Sequence, residues 1–248
     1  MAQAQLAQSS GIAWHGLPIQ AHATVNDAYA DSVWDMIYSI DVECVAVGKT
    51  HEVTDRSPCQ VALVNGHCDV LFNTYIRPPE HVVSCLTPIT GVTLADLEHG
   101  ISLDEAISEL KQLLPNDATL VGQNIDSDVS WMQLTPGVDF ADLVDIGDIF
   151  KGFNPHYGNY SYHSLQHEAR VLLRHEPPLG AHDAVWDARA SVMLYKIAAC
   201  ATPGELIEMR HRLIAQRPAP SVAKLHNYQI DGVCMAKFMK KFCICGLP

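Results

Sequence analysis

The sequence predicts an α/β domain: a mixed sheet, three antiparallel strands followed by parallel ones, with helices on its faces. Two patterns carry that reading. Three strand-like segments occur in series, and helical and strand segments alternate after them. Length and composition agree: 248 residues, 48% hydrophobic and 18% charged, suit a globular chain of one sizeable domain with appendages, or of two small ones.

The first strand is expected over residues 36–47, MIYSIDVECVAV, which is rich in β-branched residues and closes at Gly48. QVALVNGHCDVLFNTYIRP then reads as two short strands around the turn signal Asn65-Gly66. SLDEAISELKQLL reads as a helix with Ser102 and Glu105 at capping-box spacing. Its apolar face is Leu103, Ala106, Ile107, Leu110, Leu113 and Leu114. Residues 118–122 form a short buried strand, NIDSDVSWMQL the helix after it, and residues 142–146 a fifth strand. SYHSLQHEARVLL and HDAVWDARASVMLYKIAAC read as two helices, and another starts at Thr202-Pro203 with the threonine as cap. Residues 1–35 lack a sustained period and read as an arm, with Trp14 and Trp34 as docking candidates. The run RPAPS at 217–221 reads as a linker. The division is therefore an arm over 1–35, a domain over 36–216, and a basic, cysteine-containing tail over 217–248.

Charge and cysteine usage narrow the function. The net charge of −12 argues against a general basic nucleic-acid surface, but the last 48 residues carry 7 Lys+Arg against 3 Asp+Glu. Eight cysteines without compact disulfide spacing fit reduced thiols. There is no 18-residue apolar run and no secretory signal pattern, so an intracellular protein, nuclear or cytoplasmic, without membrane association is expected.

Three short sites bring carboxylates together. Asp41-Val42-Glu43 lies on the first strand, where residues i and i+2 share a face. A shared Mg²⁺ or Mn²⁺ would offset the cost of burying both, but D-x-E alone is common, and a strand end whose acids reach water is the simpler reading of the pair by itself. Asp126 and Asp128 fall in the first turn of a helix, where capping alone also explains an aspartate. His182 stands five residues before Asp187 at the start of another helix. Jointly, four such carboxylates can hold two cations about 4 Å apart around a phosphodiester. A neutral histidine beside them is suited to take a proton from water.

The order D-x-E, N-x-x-x-D after a V-G strand end, then H-x-x-x-x-D resembles the DEDDh family of 3′–5′ exonucleases, which have an RNase H-like fold. HDAVWDARASVMLY is similar to a segment of the RNA exonuclease branch that includes the interferon-stimulated exonucleases. YIRPPEHVVSCLTPITGVTLADL resembles that family's strand and loop for the terminal nucleotide, and LVDI its later strand. The resemblance spans roughly residues 36–200. It implies Asp41, Glu43, Asp128 and Asp187 as ligands of two Mg²⁺ or Mn²⁺, with Asp41 bridging and His182 as general base. It also implies Val42, Cys44, Thr90, Gly91, Val92 and Asn124 as substrate-binding residues. Asp145 is expected to be structural, and Asp183 a helix-start acid. The substrate implied is single-stranded RNA with a free 3′-OH; DNA trimming, or a silent nucleic-acid-binding scaffold, are the alternatives. Two departures bear on the branch: DVECV replaces its usual D-C-E-M-V, and Gln123 and Ser127 stand where it usually has histidine.

Other features stay outside that constellation. His163, His167 and His175 read as satisfied or exposed histidines, and Arg189 as a partner for a phosphate or an acidic neighbour. In the tail, His226, Cys234, Cys243 and Cys245 offer four soft ligands for zinc, although H-x7-C-x8-C-x-C matches no standard zinc pattern and free cysteines are the alternative. Lys237, Lys240 and Lys241, interleaved with Phe238 and Phe242, fit either a nucleic-acid grip or a docking amphipathic helix.

Overall fold

The sheet is assembled around its most apolar strands. In the computed structural model, which describes residues 32–176 and 181–246, β1 (Ile37–Ala46) and β2 (Arg56–Asn65) are antiparallel ten-residue strands. β2 is buried at eight consecutive positions, as expected for a strand covered on both faces. β3 (Val70–Tyr75) pairs antiparallel with β2. Of the arm expected over 1–35, residues 1–31, Trp14 among them, lie outside the described residues. Trp34 packs against the core, with Lys196 Nζ 4.9 Å from its ring centroid.

The β2–β3 connection differs from the turn expected at Asn65-Gly66. It is a longer loop in which Asn65 Oδ1 accepts from the N–H groups of His67 and Asp69, and Cys68 takes the left-handed conformation at φ 67°. Gly66 serves by its size: a Cβ there would sit 2.1 Å from the Trp34 carbonyl oxygen.

Short helices α1 (Thr87–Thr90) and α2 (Leu94–Glu98) precede α3 (Leu103–Leu113), whose Ser102–Glu105 capping box is present. Ala106 and Leu110 face the core, but Leu113 stands 43% exposed. The chain turns extended at Leu114, and that side chain takes the last core place. β4 (Thr119–Gly122) leads to α4 (Asp126–Trp131), and β5 (Asp142–Asp145) runs directly into α5 (Ile146–Phe150). Parallel pairing of β4 with β1 and β5 completes the order β3-β2-β1-β4-β5.

A hairpin not expected from the sequence, β6 (Gly152–Asn154) and β7 (Asn159–Ser161), comes next. SYHSLQHEARVLL is not one regular helix. α6 (Leu165–Glu168), capped by Ser164, widens into a π-turn over Ala169–Leu173 that stops at Arg174 with φ 55°. α7 (Ala184–Ala199) and α8 (Pro203–Ala215) follow, α8 with a Thr202–Glu205 capping box. α9 (Val222–Leu225) and the hairpin β8 (Gln229–Ile230) with β9 (Val233–Cys234) make up the tail.

Two apolar layers sandwich the sheet. Ile37, Val64 and Val121 pack with α7 through Ala188, Val192 and Tyr195. Ile40, Val61, Leu63 and Leu120 pack on the other face with α3 and with Ile125, Met132 and Phe140. The tail returns to the domain: Ile230 and Val233 bury against Ala46 and Leu86. Lys240–Phe242 form one 3₁₀ turn instead of a docking helix; Phe242 stacks on Tyr228, while Phe238 stays 87% exposed. No helix among the described residues is long and apolar enough to cross a membrane.

Candidate active site

β1 places the first two carboxylates. Asp41 and Glu43 leave the strand on one side, opposite Ala62 and Gln60 of β2, and Glu43 is buried. A bulge follows at once, between Glu43 and Cys44: Glu43 faces Gln60 and Cys44 faces Pro58, so Cys59 of β2 is left out of the register. On its other edge β1 pairs with β4 only at Ile37 and Tyr38. The Val42 N–H is thus left to another acceptor, and it donates to Asp128 Oδ1 at 2.8 Å. That bond draws the third carboxylate from α4 onto β1.

The turn into α4 is shaped by Asn124. Its backbone is left-handed (φ 54°), its N–H donates to Asp145 Oδ1 at 3.2 Å, and its amide donates to Ser127 Oγ at 2.8 Å. Asp145 also accepts from the Gly147 N–H, capping α5. Asn124 therefore holds the turn and is not among the residues lining the cleft described below.

α7 brings the fourth carboxylate and the imidazole. Asp183 caps the helix by accepting from the Val185 and Trp186 N–H groups. Asp187, one turn in, is buried, and His182 Nδ1 lies 2.9 Å from its Oδ2. The His182 backbone is pinned as well, its N–H donating to the Ile89 carbonyl at 2.6 Å. Gly91 caps α1 at φ 71°, and a Cβ there would meet Ala181 Cβ and the His182 carbonyl at 3.3 Å. Thr90 is buried, donating to the Cys85 carbonyl and accepting from the Val92 N–H, and Val92 is buried too. In this conformation the Thr90–Val92 stretch buttresses His182, with its two side chains turned inward.

Burial and mutual repulsion decide the electrostatics. Burial, then Asp128, Asp187 and Glu43, push the Asp41 carboxyl well above its usual range. Burial raises Glu43 to about 7, opposed by His182 and reinforced by Asp187. Burial raises Asp128 to about 8 despite the Val42 hydrogen bond. The hydrogen bond to Asp187 raises the His182 imidazole, with burial opposing. Glu43, His182 and Asp187 offer atoms all within 4.8 Å of one another, and Asp187 Oδ1 is buried with no protein partner. An orphaned carboxylate oxygen among repelling acids fits divalent cations of the Mg²⁺ or Mn²⁺ type, which prefer oxygen donors.

A cleft of about 320 Å³ opens beside this group. Asp41, His182 and Asp187 line it with Gln123, Ser164, Arg170 and the tail segment 219–222, while Val42, Cys44, Thr90, Gly91 and Val92 do not. Sequence reasoning missed Ser164, Arg170 and the tail segment, because nothing local marks residues brought from such separate elements. His167 also lines the cleft, with its Nε2 3.1 Å from the Leu213 carbonyl, and His163 stacks on it. His175 stacks on Trp186. Arg189 Nε donates to the Cys68 carbonyl. The tail cysteines gather around His51, not His226, because the β8–β9 hairpin lays Cys234 against the loop after β1. His226 is exposed at the end of α9, outside that group.

A five-stranded mixed sheet with carboxylates from β1, α4 and α7 defines an RNase H-like exonuclease fold, and solved structures share it. The Pan2 catalytic unit of Neurospora crassa matches with a TM-score of 0.59 at 18% identity, over 75% of this chain and 30% of that one. The Saccharomyces cerevisiae Pan2 pseudoubiquitin hydrolase-RNA exonuclease module in complex with A7 RNA matches with a TM-score of 0.60 at 17% identity, over 79% and 33%. Residues 39–195 match the Exonuclease family (RNase T), and the chain belongs to that family. Among curated relatives, RNA exonuclease 4 of Cryptococcus neoformans is 31% identical over 163 residues, 64% of this chain and 37% of that protein. RNA exonuclease 4 of Candida glabrata is 28% identical over 159 residues, 64% of this chain and 59% of that protein. The chain thus aligns with less than two thirds of either relative.

Proposed function

We propose that the chain is a divalent-metal-dependent 3′–5′ exonuclease that shortens single-stranded RNA from a 3′-OH end and releases nucleoside 5′-monophosphates. The observation that carries this is the convergence of Asp41, Glu43, Asp128, Asp187 and His182, with Asp187 Oδ1 buried and unpartnered. Asp41, Glu43, Asp128 and Asp187 would hold two Mg²⁺ or Mn²⁺. Bound there, the ions supply Lewis-acid stabilisation of the phosphodiester and an acidified water.

The chain's own residues do the rest. Asp187 accepts from His182 Nδ1–H, which leaves the Nε2 lone pair to receive a proton from water. As that proton moves, the water oxygen bonds to phosphorus and the bond to the 3′ oxygen of the preceding nucleotide breaks. The Ile89 carbonyl and the Gly91 contact hold His182 in place for this transfer. Arg170, whose Nε donates to Glu176 Oε2 at 3.2 Å, is a cation lining the same cleft as Asp41 and Asp187, suited to a substrate phosphate. A cleft of about 320 Å³ suits one terminal nucleotide. Support for RNA comes from the relatives named RNA exonuclease 4 and from the Pan2 module solved with A7 RNA.

The test uses 5′-labelled single strands of RNA and DNA in matched sequence, with Mg²⁺ or Mn²⁺ and with chelator. A stepwise ladder from the RNA 3′ end, abolished by chelator and blocked by a 3′-phosphate, is expected. Internal cuts would refute the exonuclease reading, and equal or faster loss of the DNA strand would move the substrate to DNA. Two intact strands would leave only a silent binding module.

A further inference from the structure

The proposed catalysis leaves the tail cysteines unused. Cys234 ends β9, while Cys243 and Cys245 follow the 3₁₀ turn Lys240–Phe242. Their sulfurs nevertheless converge on one nitrogen 183 or more positions earlier in the chain. From His51 Nδ1, the Sγ atoms of Cys234, Cys243 and Cys245 lie at 3.5, 3.8 and 3.0 Å. All four atoms lie within 4.8 Å of one another, and all three thiols are free.

Those distances have a geometric meaning. With zinc–sulfur bonds near 2.3 Å and zinc–nitrogen bonds near 2.05 Å, a tetrahedral angle separates sulfur from nitrogen by about 3.6 Å. The three observed separations fall around that value. We infer that His51 Nδ1 and the thiolates of Cys234, Cys243 and Cys245 bind one Zn²⁺. Soft thiolates with one imidazole select zinc over the hard cations suited to the carboxylate site. Four protein ligands close the coordination shell, so the ion is structural and leaves no position for a substrate. Glu52 Oε1 lies 3.4 Å from His51 Nε2, a placement that favours the proton on Nε2 and the lone pair on Nδ1. The Arg56 guanidinium, donating to the Cys234 carbonyl, sets a positive charge beside a site of net charge −1.

The site would clamp the tail to the catalytic domain. Near it, the Cys234 N–H donates to the Lys49 carbonyl, and Ser84 Oγ donates to Asp231 Oδ2 at 2.6 Å. The other end of the same segment, residues 219–222, lines the cleft. Zinc thus pins the far end of a strap whose near end forms a wall of the proposed substrate site, a consequence that rests on the proposed function.

The metal prediction is tested without activity. The 248-residue chain purified without chelator should carry one zinc per chain by elemental analysis. His51→Ala and Cys245→Ser should each lose it, while His226→Ala and Asp41→Asn keep it. Cobalt substitution of the wild type makes the test independent of how the variants fold. Thiolate-to-cobalt charge-transfer absorption and intense tetrahedral d–d bands are expected. Zinc-free wild type from zinc-supplemented cultures, cobalt bound without those bands, or a disulfide among the three cysteines by mass would overturn the inference. Because Asp41→Asn should be inactive yet zinc-loaded, failure of the nuclease reading and failure of the zinc reading give different results.

Discussion

In the proposed mechanism, His182 is the residue at which proton transfer separates from metal binding. Its Nδ1 is committed to Asp187, so replacing it should slow hydrolysis and spare the carboxylates. His182→Ala is expected to reduce single-turnover cleavage by about two to four orders of magnitude with Mn²⁺ affinity retained. Wild-type turnover in that variant would remove the base from the mechanism. The Asp187 hydrogen bond holds the imidazole protonated to higher pH than usual, and a protonated ring cannot accept a proton. Cleavage should therefore climb as pH rises through the His182 pKa, and His182→Ala should flatten that climb. Asp41→Asn has a different signature. Asp41 sits among the carboxylates of Asp128, Asp187, Glu43 and Asp183, so activity and metal affinity should fall together, as cleavage assays beside Mn²⁺ titration would show.

Elements differ in how openly the sequence declares them. The capping boxes at Ser102–Glu105 and Thr202–Glu205 are local and reciprocal, so four residues suffice to find each. The D-x-E pair is legible for a similar reason, since strand pleating alone puts Asp41 and Glu43 on one side. Asp128 is harder to read from its helix. What selects it over Asp126 is the Val42 N–H, which is free only because β4 leaves β1 after Tyr38. Loop packing is less legible still. Thr90, Gly91 and Val92 read as a nucleotide contact, and what the sequence does not declare is that the same turn also braces the entrance to α7. Gly91→Ala places a Cβ at φ 71° and 3.3 Å from Ala181 and the His182 carbonyl, a strain of about 1–3 kcal/mol. The variant should melt earlier, with kcat falling more than KM rises, because His182 shifts. An unchanged kcat with a raised KM would instead make the turn a substrate contact. The same limit explains His51: its partners lie 183 to 194 residues away, and chain proximity pointed to His226.

At the scale of the whole molecule, the acidic centre makes stability depend on pH and, with the proposed cations, on metal as well. Glu43 titrates at about 7 and Asp128 at about 8 in the folded protein without metal, and Asp41 is displaced in the same direction. In the unfolded chain such groups titrate near ~4. Between those limits the folded state holds protons that the unfolded state has released, so stability falls as pH rises. The contribution is fully present below ~4 and is lost by about 8. His182, also raised, adds a change of the same sign. Capping carboxylates such as Asp96 and Glu205 are lowered by their hydrogen bonds, so their contribution disappears only below the ordinary carboxylate range and leaves this window clear. In the proposed site Mg²⁺ or Mn²⁺ would bind the ionised carboxylates and offset their repulsion, so its stabilisation should grow as the protons leave. Protein dialysed free of Mg²⁺ is expected to melt progressively earlier from about pH 5 to about pH 8, and added Mg²⁺ to raise the melting temperature little at the lower pH and strongly at the higher. Asp41→Asn, which removes one of the repelling charges, should flatten the pH slope and reduce the metal response together. A metal-free melting temperature independent of pH, or an equal gain from Mg²⁺ at both ends, would mean that these carboxylates do not share a buried, mutually repelling site.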